Sequence, residues 1–349
     1  MRKKKKESPE KHSAEKCAPR RFSERRREAP MQSCTKCTIF FALVLAVLLP
    51  ALVRDPTYPV QDGVVLITGA STGIGLAAAL HLAELHSSSV ILCGVRKRDD
   101  FERLAGLGVS NVRPIYLDVA STQSIRAALV TVEGVLQARS LPLVGLVNNA
   151  GVAAGPTAVE FHALEDARAL FAVNLFGALE TTQAFLPLLR AARGRLVAVS
   201  SVFGSVAPPM GGVYSASKFA LEALHDSLRR ELKGAGVSVS VVAPGAVTTP
   251  IFRTLEPASL KAARHRGDPA TAVYPQFYTN KDLDNELNIE ALADSPSVTS
   301  AAIEHALFSP QPQTRYFVAN ILGAPAWLLA GLAHLLPTRL MDTVMLQKG

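Results

Sequence analysis

The chain has 349 residues, 48% of them hydrophobic, which is enough for one large α/β domain or two smaller ones. Its formal net charge of +8 is uneven, because residues 1–36 hold 13 Lys and Arg against 5 Asp and Glu and leave 24 of each sign for the rest. The neutral body excludes nucleic acid as an expected partner, and four cysteines, with only Cys93 in the body, exclude a disulfide framework and suggest no metal site.

The N-terminal segment combines a basic tail with an apolar run. Residues 1–36 contain few apolar side chains that burial could use to offset the entropy of ordering, so they are predicted to be a disordered tail. Residues 37–53 read CTIFFALVLAVLLPALV, 17 residues without a charge, which predicts an uncleaved membrane-anchor helix at the short end of the spanning range. A cleaved signal sequence and a buried helix are the alternatives. Residues 54–62 form a linker.

This anchor predicts a location on the endoplasmic reticulum or another organelle membrane. The positive-inside rule places the basic tail in the cytosol, so a helix that spans the bilayer would put the body on the far side. A hairpin or an interfacial helix would leave the body cytosolic. The side that the body faces therefore stays open.

Seven short apolar runs alternate with helical patterns over residues 63–349. Continuous apolar runs indicate parallel strands that are covered on both faces, which predicts a single α/β domain with a doubly wound (Rossmann) sheet. The runs are Val64–Thr68, Val90–Cys93, Val112–Leu117, Leu143–Val147, Arg195–Ser200, Val237–Ala243 and Arg315–Val318. Residues 253–297 have little periodicity and are predicted to form a substrate lid. Residues 319–346 are predicted to form apolar helices that cover the substrate site, contact the membrane or pack in the core.

A glycine-rich loop follows the first strand and precedes a helical pattern. Glycines in the segment TGASTGIG, residues 68–75, allow a tight turn and a close approach of the backbone to a pyrophosphate at the helix N-terminus. This order predicts a dinucleotide site. After the second strand the chain has Arg96 and two further cations, where an acidic residue would bind a ribose hydroxyl. Cations there favour a 2′-phosphate and therefore NADP, with NAD as the alternative.

Tyr214 and Lys218 are four residues apart at the start of a predicted helix, so both side chains lie on one face. A tyrosine near neutral pH needs its pKa lowered by roughly three units to act as an acid or base, and the lysine cation supplies part of that. Gly234 is predicted to cap the end of this helix.

Polar and glycine residues also follow the other strands, at what should be one edge of the sheet. Their order and spacing resemble the classical short-chain dehydrogenase/reductase family over residues 63–349, nearest to its steroid and retinol dehydrogenase-like branch. The matching motifs are TGASTGIG, NNAG at 148–151, Asn174, a serine 13 residues before the tyrosine, Tyr-x-x-x-Lys and the Pro244-Gly245 pair.

The resemblance implies a catalytic tetrad of Asn174, Ser201, Tyr214 and Lys218. Tyr214 would be the acid or base, Ser201 would stabilise the substrate oxygen, and Asn174 would help to anchor a proton-relay water. With the glycine loop and Arg96, it gives a cofactor-binding set: Gly69, Ser71, Thr72, Gly73, Ile74, Gly75, Arg96, Asp118, Val119, Asn148, Ala150, Gly151, Tyr214, Lys218, Pro244, Gly245, Val247 and Thr249.

The expected activity is hydride transfer between NADP(H) and a lipophilic ketone or secondary alcohol of the steroid, retinoid or long-chain lipid type. An NAD-dependent enzyme acting on the same substrates and a non-catalytic, cofactor-binding regulatory protein are the alternatives. The resemblance also implies a homo-oligomer. The expected partners are a lipophilic small molecule and a membrane, contacted through residues 37–53 and also through 319–346.

Overall fold

The computed structural model of the chain describes residues 56–251, 269–277, 292–321 and 323–346. The chain divides into two units, Met1–Asp55 and Pro56–Gly349, and every described residue belongs to the second. The predicted tail and membrane anchor therefore lie outside the described residues, as do residues 253–268 and 278–291 of the predicted lid.

Seven parallel strands form one sheet in the order β3-β2-β1-β4-β5-β6-β7, which confirms the predicted doubly wound fold. The strands are β1 (Val64–Thr68), β2 (Val90–Val95), β3 (Val112–Tyr116), β4 (Leu143–Asn148), β5 (Arg195–Val199), β6 (Ser238–Pro244) and β7 (Arg315–Val318). The inner strands β1, β2, β4, β5 and β6 are buried along their whole length. Strand order reverses between β1 and β4, so a ligand crevice is expected at the carboxyl ends of these strands.

Helices cover both faces of the sheet. They are α1 (Gly73–Leu85), α2 (Arg98–Ala105), α3 (Thr122–Arg139), α4 (Leu164–Phe171), α5 (Ala178–Ala192), α6 (Gly212–Leu232), α7 (Pro269–Val273) and α8 (Pro296–Phe308). On one face, α1 and α8 contribute Leu82 and Ile303 to a core with Ile67 of β1. On the other, α3 and α5 contribute Ile125 and Phe185 to a second core. The side chains of β1 alternate between these cores, as a strand buried on both faces requires.

The linker after the predicted anchor contacts the amino-terminal edge of the sheet. Arg195, at the start of β5, donates from Nη2 to the carbonyl oxygens of Pro59 and Ser309, each at 3.0 Å. Its guanidinium carbon lies 5.1 Å from the ring centroid of Tyr58, within cation–π range. Gln61 donates to Ala192 O at 2.6 Å. Residues 56–62 are therefore attached to the body, at the edge opposite the expected ligand crevice.

The continuous helix Leu164–Ala192 is the one described segment that is long and apolar enough to cross a membrane, by length and composition alone. Phe185 and Leu189 of this segment are fully buried in the second core. These contacts are those of a core helix in an α/β domain.

The helices and connections of the second half of the chain differ from the prediction in three places. α8 begins at Pro296, so the last two residues of the predicted lid are helical. The predicted apolar region opens with a hairpin of β8 (Asn320–Ile321) and β9 (Ala324–Pro325), and only then come α9 (Ala326–Leu335) and α10 (Thr338–Leu346). α6 is extended by a 3₁₀ turn over Lys233–Ala235, so the left-handed residue is Gly236, with φ of 73°, rather than Gly234.

Candidate active site

The glycine loop makes a tight turn between β1 and α1. Gly69 and Gly73 have φ of 63° and 57°, in the left-handed region that favours glycine. Gly75 is buried, and a Cβ there would lie 2.6 Å from Gly69 O and collide with the Asn149 side chain. The loop therefore has room only for glycines where the backbone must approach a ligand. Thr72 precedes α1 without capping it, so the first N–H groups of the helix are left for an anion.

Thr68 and Asn149, which the sequence analysis did not assign to the site, hold this loop in place. Asn149 Nδ2 donates to Thr68 O at 2.9 Å and to Gly69 O at 3.0 Å. Thr68 Oγ1 accepts from the N–H groups of Asn149 and Ala150, each at 3.0 Å. The sequence signal that could have identified them is their position within the motifs TGASTGIG and NNAG.

Asn148, predicted to contact the cofactor, has its side chain inside the protein. It is 3% exposed and donates from Nδ2 to Thr182 Oγ1 at 2.7 Å. Its Oδ1 is buried without a hydrogen-bond partner among the described residues. A contact between Asn148 and a ligand would therefore have to involve the backbone.

The predicted adenosine side lies at the ends of β2 and β3. Arg96 is exposed directly after β2, and Arg103 of α2 donates to Ser71 O at 2.5 Å. Asp118 is partly exposed, and its Oδ1 accepts from Ala120 N at 3.0 Å. Val119 is buried against Gly177, where a Cβ would lie 2.6 Å from Val119 O.

Ser201 and Tyr214 are brought together at the end of β5. The Ser201 side chain is close enough to Tyr214 to lower its pKa as a hydrogen-bond partner, and Ser201 Oγ accepts from Phe203 N at 3.2 Å. The ring of Phe203 meets that of Tyr214 edge-on, with centroids 6.4 Å apart. The serine 13 residues before the tyrosine thus lies beside it.

Asn174 lies in a π turn, Ala172–Gly177, between α4 and α5. π turns inside α-helices occur frequently at functional sites. Asn174 Oδ1 accepts from Val152 N at 2.8 Å, while Nδ2 donates to Val152 O at 2.9 Å and to Ser217 Oγ at 3.1 Å. Ser217 Oγ in turn donates to Tyr214 O at 2.7 Å. Asn174 therefore joins the loop after the NNAG motif to the helix that carries Tyr214.

Lys218 is 5% exposed and donates from Nζ to Val199 O at 3.1 Å. Its Nζ lies 5.8 Å from the centroid of the Tyr214 ring. A Cβ added to Gly151 would lie 3.4 Å from Asn174 Oδ1 and 3.5 Å from Lys218 Nζ, so both side chains approach this glycine. All four residues of the predicted tetrad thus lie around one point at the carboxyl edge of the sheet.

Burial controls the pKa values of the tyrosine and lysine in the ligand-free site. It raises the pKa of Tyr214 to about 12, against the lowering effect of the hydrogen bond with Ser201. It lowers the pKa of Lys218 to about 8, against the raising effect of Glu222. The direction for Tyr214 is opposite to the expected one, because removal from water outweighs the other contributions.

The segment after β6 closes the site from the other side. Ala246 N donates to Asn320 O at 2.7 Å, and a Cβ on Gly245 would collide with the same oxygen. Val247 forms a bridge with Asp294. A Cβ on Gly73 would lie 3.2 Å from Thr249 Cβ, so the segment Pro244–Thr249 reaches the glycine loop.

An open groove of ≈ 540 Å³ lies between the chain that follows Ser201 and the two carboxyl-terminal helices. It is bounded by the chain that follows Ser201, by the exposed Phe219 beside Lys218, and by α9 and α10. The lining residues are Ser205, Val206, Ala207, Pro208, Pro209, Phe219, Ala333, His334, Leu336, Thr338, Met341, Asp342, Met345 and Leu346. Most of them are apolar.

Comparisons with known proteins agree with this geometry. The profile of the short chain dehydrogenase family matches residues 63–259. Human retinol dehydrogenase 5 is 37% identical over 316 residues, which cover 87% of this chain and 94% of that protein. Human 17-beta-hydroxysteroid dehydrogenase type 6 is 35% identical over 268 residues, which cover 75% and 82%.

A solved structure also matches. The short-chain dehydrogenase from Streptomyces avermitilis is 26% identical, with a TM-score of 0.62 over 83% of this chain and 99% of that one. The profile, the relatives and the fold agree, so the chain is an oxidoreductase of the short-chain dehydrogenase family, in its steroid and retinol dehydrogenase-like branch.

Proposed function

We propose that the protein transfers a hydride between NADP(H) and a lipophilic ketone or secondary alcohol, with Tyr214 as the acid or base. The observation that carries this proposal is the position of Tyr214 beside Ser201 and the buried Lys218. These groups lie at the carboxyl edge of the sheet, where ligands bind in open α/β folds.

The residues present fit a dinucleotide. A cradle of glycines at 69, 73 and 75 has no room for Cβ atoms, and the uncapped start of α1 offers N–H groups to a pyrophosphate. When bound, the cofactor would supply or accept the hydride. The exposed Arg96 supports NADP, since a guanidinium can bind a 2′-phosphate through two hydrogen bonds. NAD remains the alternative.

The chain itself would move the proton. In reduction, Tyr214 donates its hydroxyl proton to the carbonyl oxygen, and in oxidation it takes the proton of the alcohol. Ser201 hydrogen-bonds the same oxygen and stabilises the charge that develops on it. The pKa of about 12 keeps the Tyr214 hydroxyl protonated in the ligand-free site, which is the form that a reductase needs.

The substrate class follows from the groove and from the relatives. Its apolar lining, including Val206, Pro208, Phe219 and Met341, would bury a hydrophobic molecule against the chain that follows Ser201. Two similar proteins carry the names of a retinol and a hydroxysteroid dehydrogenase. A steroid, retinoid or long-chain lipid therefore fits the proposal.

The remaining proposals concern the membrane and the assembly. Residues 37–53 would anchor the protein in an organelle membrane, with residues 1–36 as a tail and 253–297 as a lid. Trp327, Leu335 and Leu346 are 60%, 81% and 57% exposed on α9 and α10, which supports a second contact of residues 319–346 with lipid. A homo-oligomer is proposed on the resemblance to the family.

The test is a turnover screen of lipophilic ketones and alcohols with NADPH and NADH. On any substrate found, Tyr214→Phe should lower kcat by about 10² to 10⁴-fold and leave cofactor binding intact, because it removes one proton donor. Tyr58→Phe is the matched control, since the ring of Tyr58 lies over Arg195 at the opposite edge of the sheet. Equal activity of the Tyr214→Phe variant and the wild type would refute the assigned role of Tyr214.

A further inference from the structure

α6 carries a third ionisable residue on the face of Tyr214 and Lys218. Glu222 follows Lys218 by four residues, a spacing that brings side chains of a helix together. Its side chain is 9% exposed, although a carboxylate is seldom buried without a partner. Its burial beside the tetrad calls for a physical explanation.

The edge strand β7 supplies the partner of the Glu222 carboxylate. Arg315, at the start of β7, donates to Glu222 Oε2 from Nη2 at 2.6 Å and from Nε at 2.9 Å. Arg315 Nη2 also lies 3.5 Å from Asp226 Oδ1, one turn further along α6. Both guanidinium contacts are made to the same carboxylate oxygen, so the second oxygen of Glu222 remains available.

That second oxygen points to the active-site side of the network. Glu222 Oε1 is buried and has no hydrogen-bond partner among the described residues. At Gly204, in the turn that follows Ser201, a Cβ would lie 3.3 Å from Glu222 Oε1 and 2.8 Å from Ser200 Oγ. The carboxylate therefore packs under the turn of the catalytic serine, and the negative charge of Glu222 raises the pKa of Lys218 against burial.

No other ionisable group near Lys218 competes for this role among the described residues. On its own helix, Tyr214 and Glu222 face it. The π turn, β6 and the turn Val202–Gly204, which pack against α6, carry no ionisable side chain. The other charges on packed elements are exposed: Glu165, Asp166 and Arg168 of α4, and Lys233. Arg315 reaches Lys218 only through Glu222.

We propose that Glu222, held by Arg315, is a positioning residue that supplies the counter-charge of the Lys218 ammonium from one helical turn away. This inference rests on the proposed function for its catalytic meaning, but its physical basis lies in the ligand-free chain. Removal of the carboxylate charge leaves the burial of Lys218 unopposed, so the lysine should lose its proton at lower pH.

The first test measures Lys218 directly. Competitive acetylation of the ligand-free protein across a pH series, read by mass spectrometry, gives the titration midpoint of Lys218. Glu222→Gln should lower it by about one pH unit. Asp226→Asn is the matched control, because it removes a carboxylate of the same network one turn farther from Lys218, and it should leave the midpoint unchanged.

The second test separates position from folding. The pair variant Glu222→Gln/Arg315→Gln removes both charges, so it avoids an unpaired buried guanidinium if the single variant fails to fold. The basic limb of kcat/KM should move to lower pH in the folded variants, together with the Lys218 midpoint. An unchanged midpoint, or an equal fall in Asp226→Asn, would overturn the proposal. A lowered midpoint without any substrate turnover would leave it standing and count against the proposed function.

Discussion

Three ionisable side chains along α6 have pKa values that burial moves away from their ordinary ranges. Tyr214 and Lys218 face the active site, while His225 is 1% exposed and belongs to the packing of the helix. His225 Nδ1 contacts Leu221 O at 2.9 Å, and Nε2 is buried without a partner among the described residues. Burial lowers the pKa of His225 to about 4. Protonation of His225 is therefore expected to change the stability of the fold and not the catalytic step.

Acidification should destabilise the fold through His225. An unfolded histidine binds a proton near pH 6.5, whereas the folded one binds it only near pH 4. The stability that neutral His225 contributes is present above pH 6.5 and is lost as the pH falls towards 4. We expect about 3 kcal/mol of acid sensitivity from this residue. His225→Leu should flatten the dependence of urea unfolding on pH between about 6.5 and 4, the window of the two pKa values.

A matched control for this prediction is His334→Gln, because His334 is exposed on α9. It should keep the acid sensitivity of the wild type. An acid sensitivity that survives His225→Leu would mean that other groups carry the pH dependence.

Arg96 carries the prediction on cofactor choice. It is exposed directly after β2, where the 2′-substituent of a bound adenosine would lie. Arg96→Ala should raise the KM for NADPH by about tenfold or more, since a charge-assisted pair contributes roughly 1.5–3 kcal/mol, and should change that for NADH little. Arg98→Ala is the control, because Arg98 is paired with Glu102 at 2.6 Å on α2. Equal losses with both cofactors would contradict the preference for NADP.

Some residues of the site could be predicted from the sequence and others could not. Tyr214 and Lys218 were predicted from their spacing and Ser201 from the resemblance to the family. The structure places the three together, because helix geometry and a strand end determine their positions. Asn149 and Thr68 were missed, because their contacts join two loops 80 residues apart. No local pattern distinguishes a side chain that holds a loop from one that contacts a ligand.

At the scale of elements, three segments meet around Asp294. Its Oδ2 accepts from Asn320 N at 2.6 Å and from Asn320 Nδ2 at 3.0 Å. Its backbone N–H donates to Ala246 O at 3.0 Å, and its carbonyl accepts from Thr248 N at 2.9 Å. The end of the predicted lid is therefore tied to the segment after β6 and to the β8–β9 hairpin.

This arrangement predicts that a substitution of Asp294, which is outside the cofactor-binding set, weakens cofactor binding. Asp294→Ala should lower stability by about 2–3 kcal/mol, because two donors lose a charged acceptor. It should also raise the cofactor KM several-fold, since Thr249 would lose its fixed position beside Gly73. Chemical unfolding and a cofactor titration measure the two effects. Asp166→Ala, an exposed carboxylate on α4, is the control, and a stability loss without any KM change would refute the coupling.

The predicted strands were confirmed within one or two residues, because continuous apolar runs have few alternatives to buried strands. The end of α6 was predicted less well. Gly234 and Gly236 are equally plausible caps in sequence, and the extra 3₁₀ turn that moves the cap to Gly236 has no signal in the local pattern. The β8–β9 hairpin was missed, because strands of two residues leave no periodic pattern.

At the scale of the whole molecule, the described residues form a unit that begins at Pro56, after the predicted anchor. Arg195 holds the linker to this unit through Pro59. Removal of the preceding residues should therefore leave the sheet, the tetrad and the groove intact. Membrane attachment and catalysis are expected to be separable.

A deletion of residues 37–53 tests this separation. The full chain should remain in the membrane pellet after carbonate extraction, because a helix of 17 uncharged residues buries its apolar surface in lipid. The deleted chain should keep its turnover and be released to the supernatant. Deletion of residues 1–36 is the matched control, since it removes the basic charges and keeps the apolar run. Release by that control alone would assign attachment to the charges. If the chain lacking 37–53 stays bound, Trp327→Gln with Leu335→Gln should release it, because these side chains are exposed on α9.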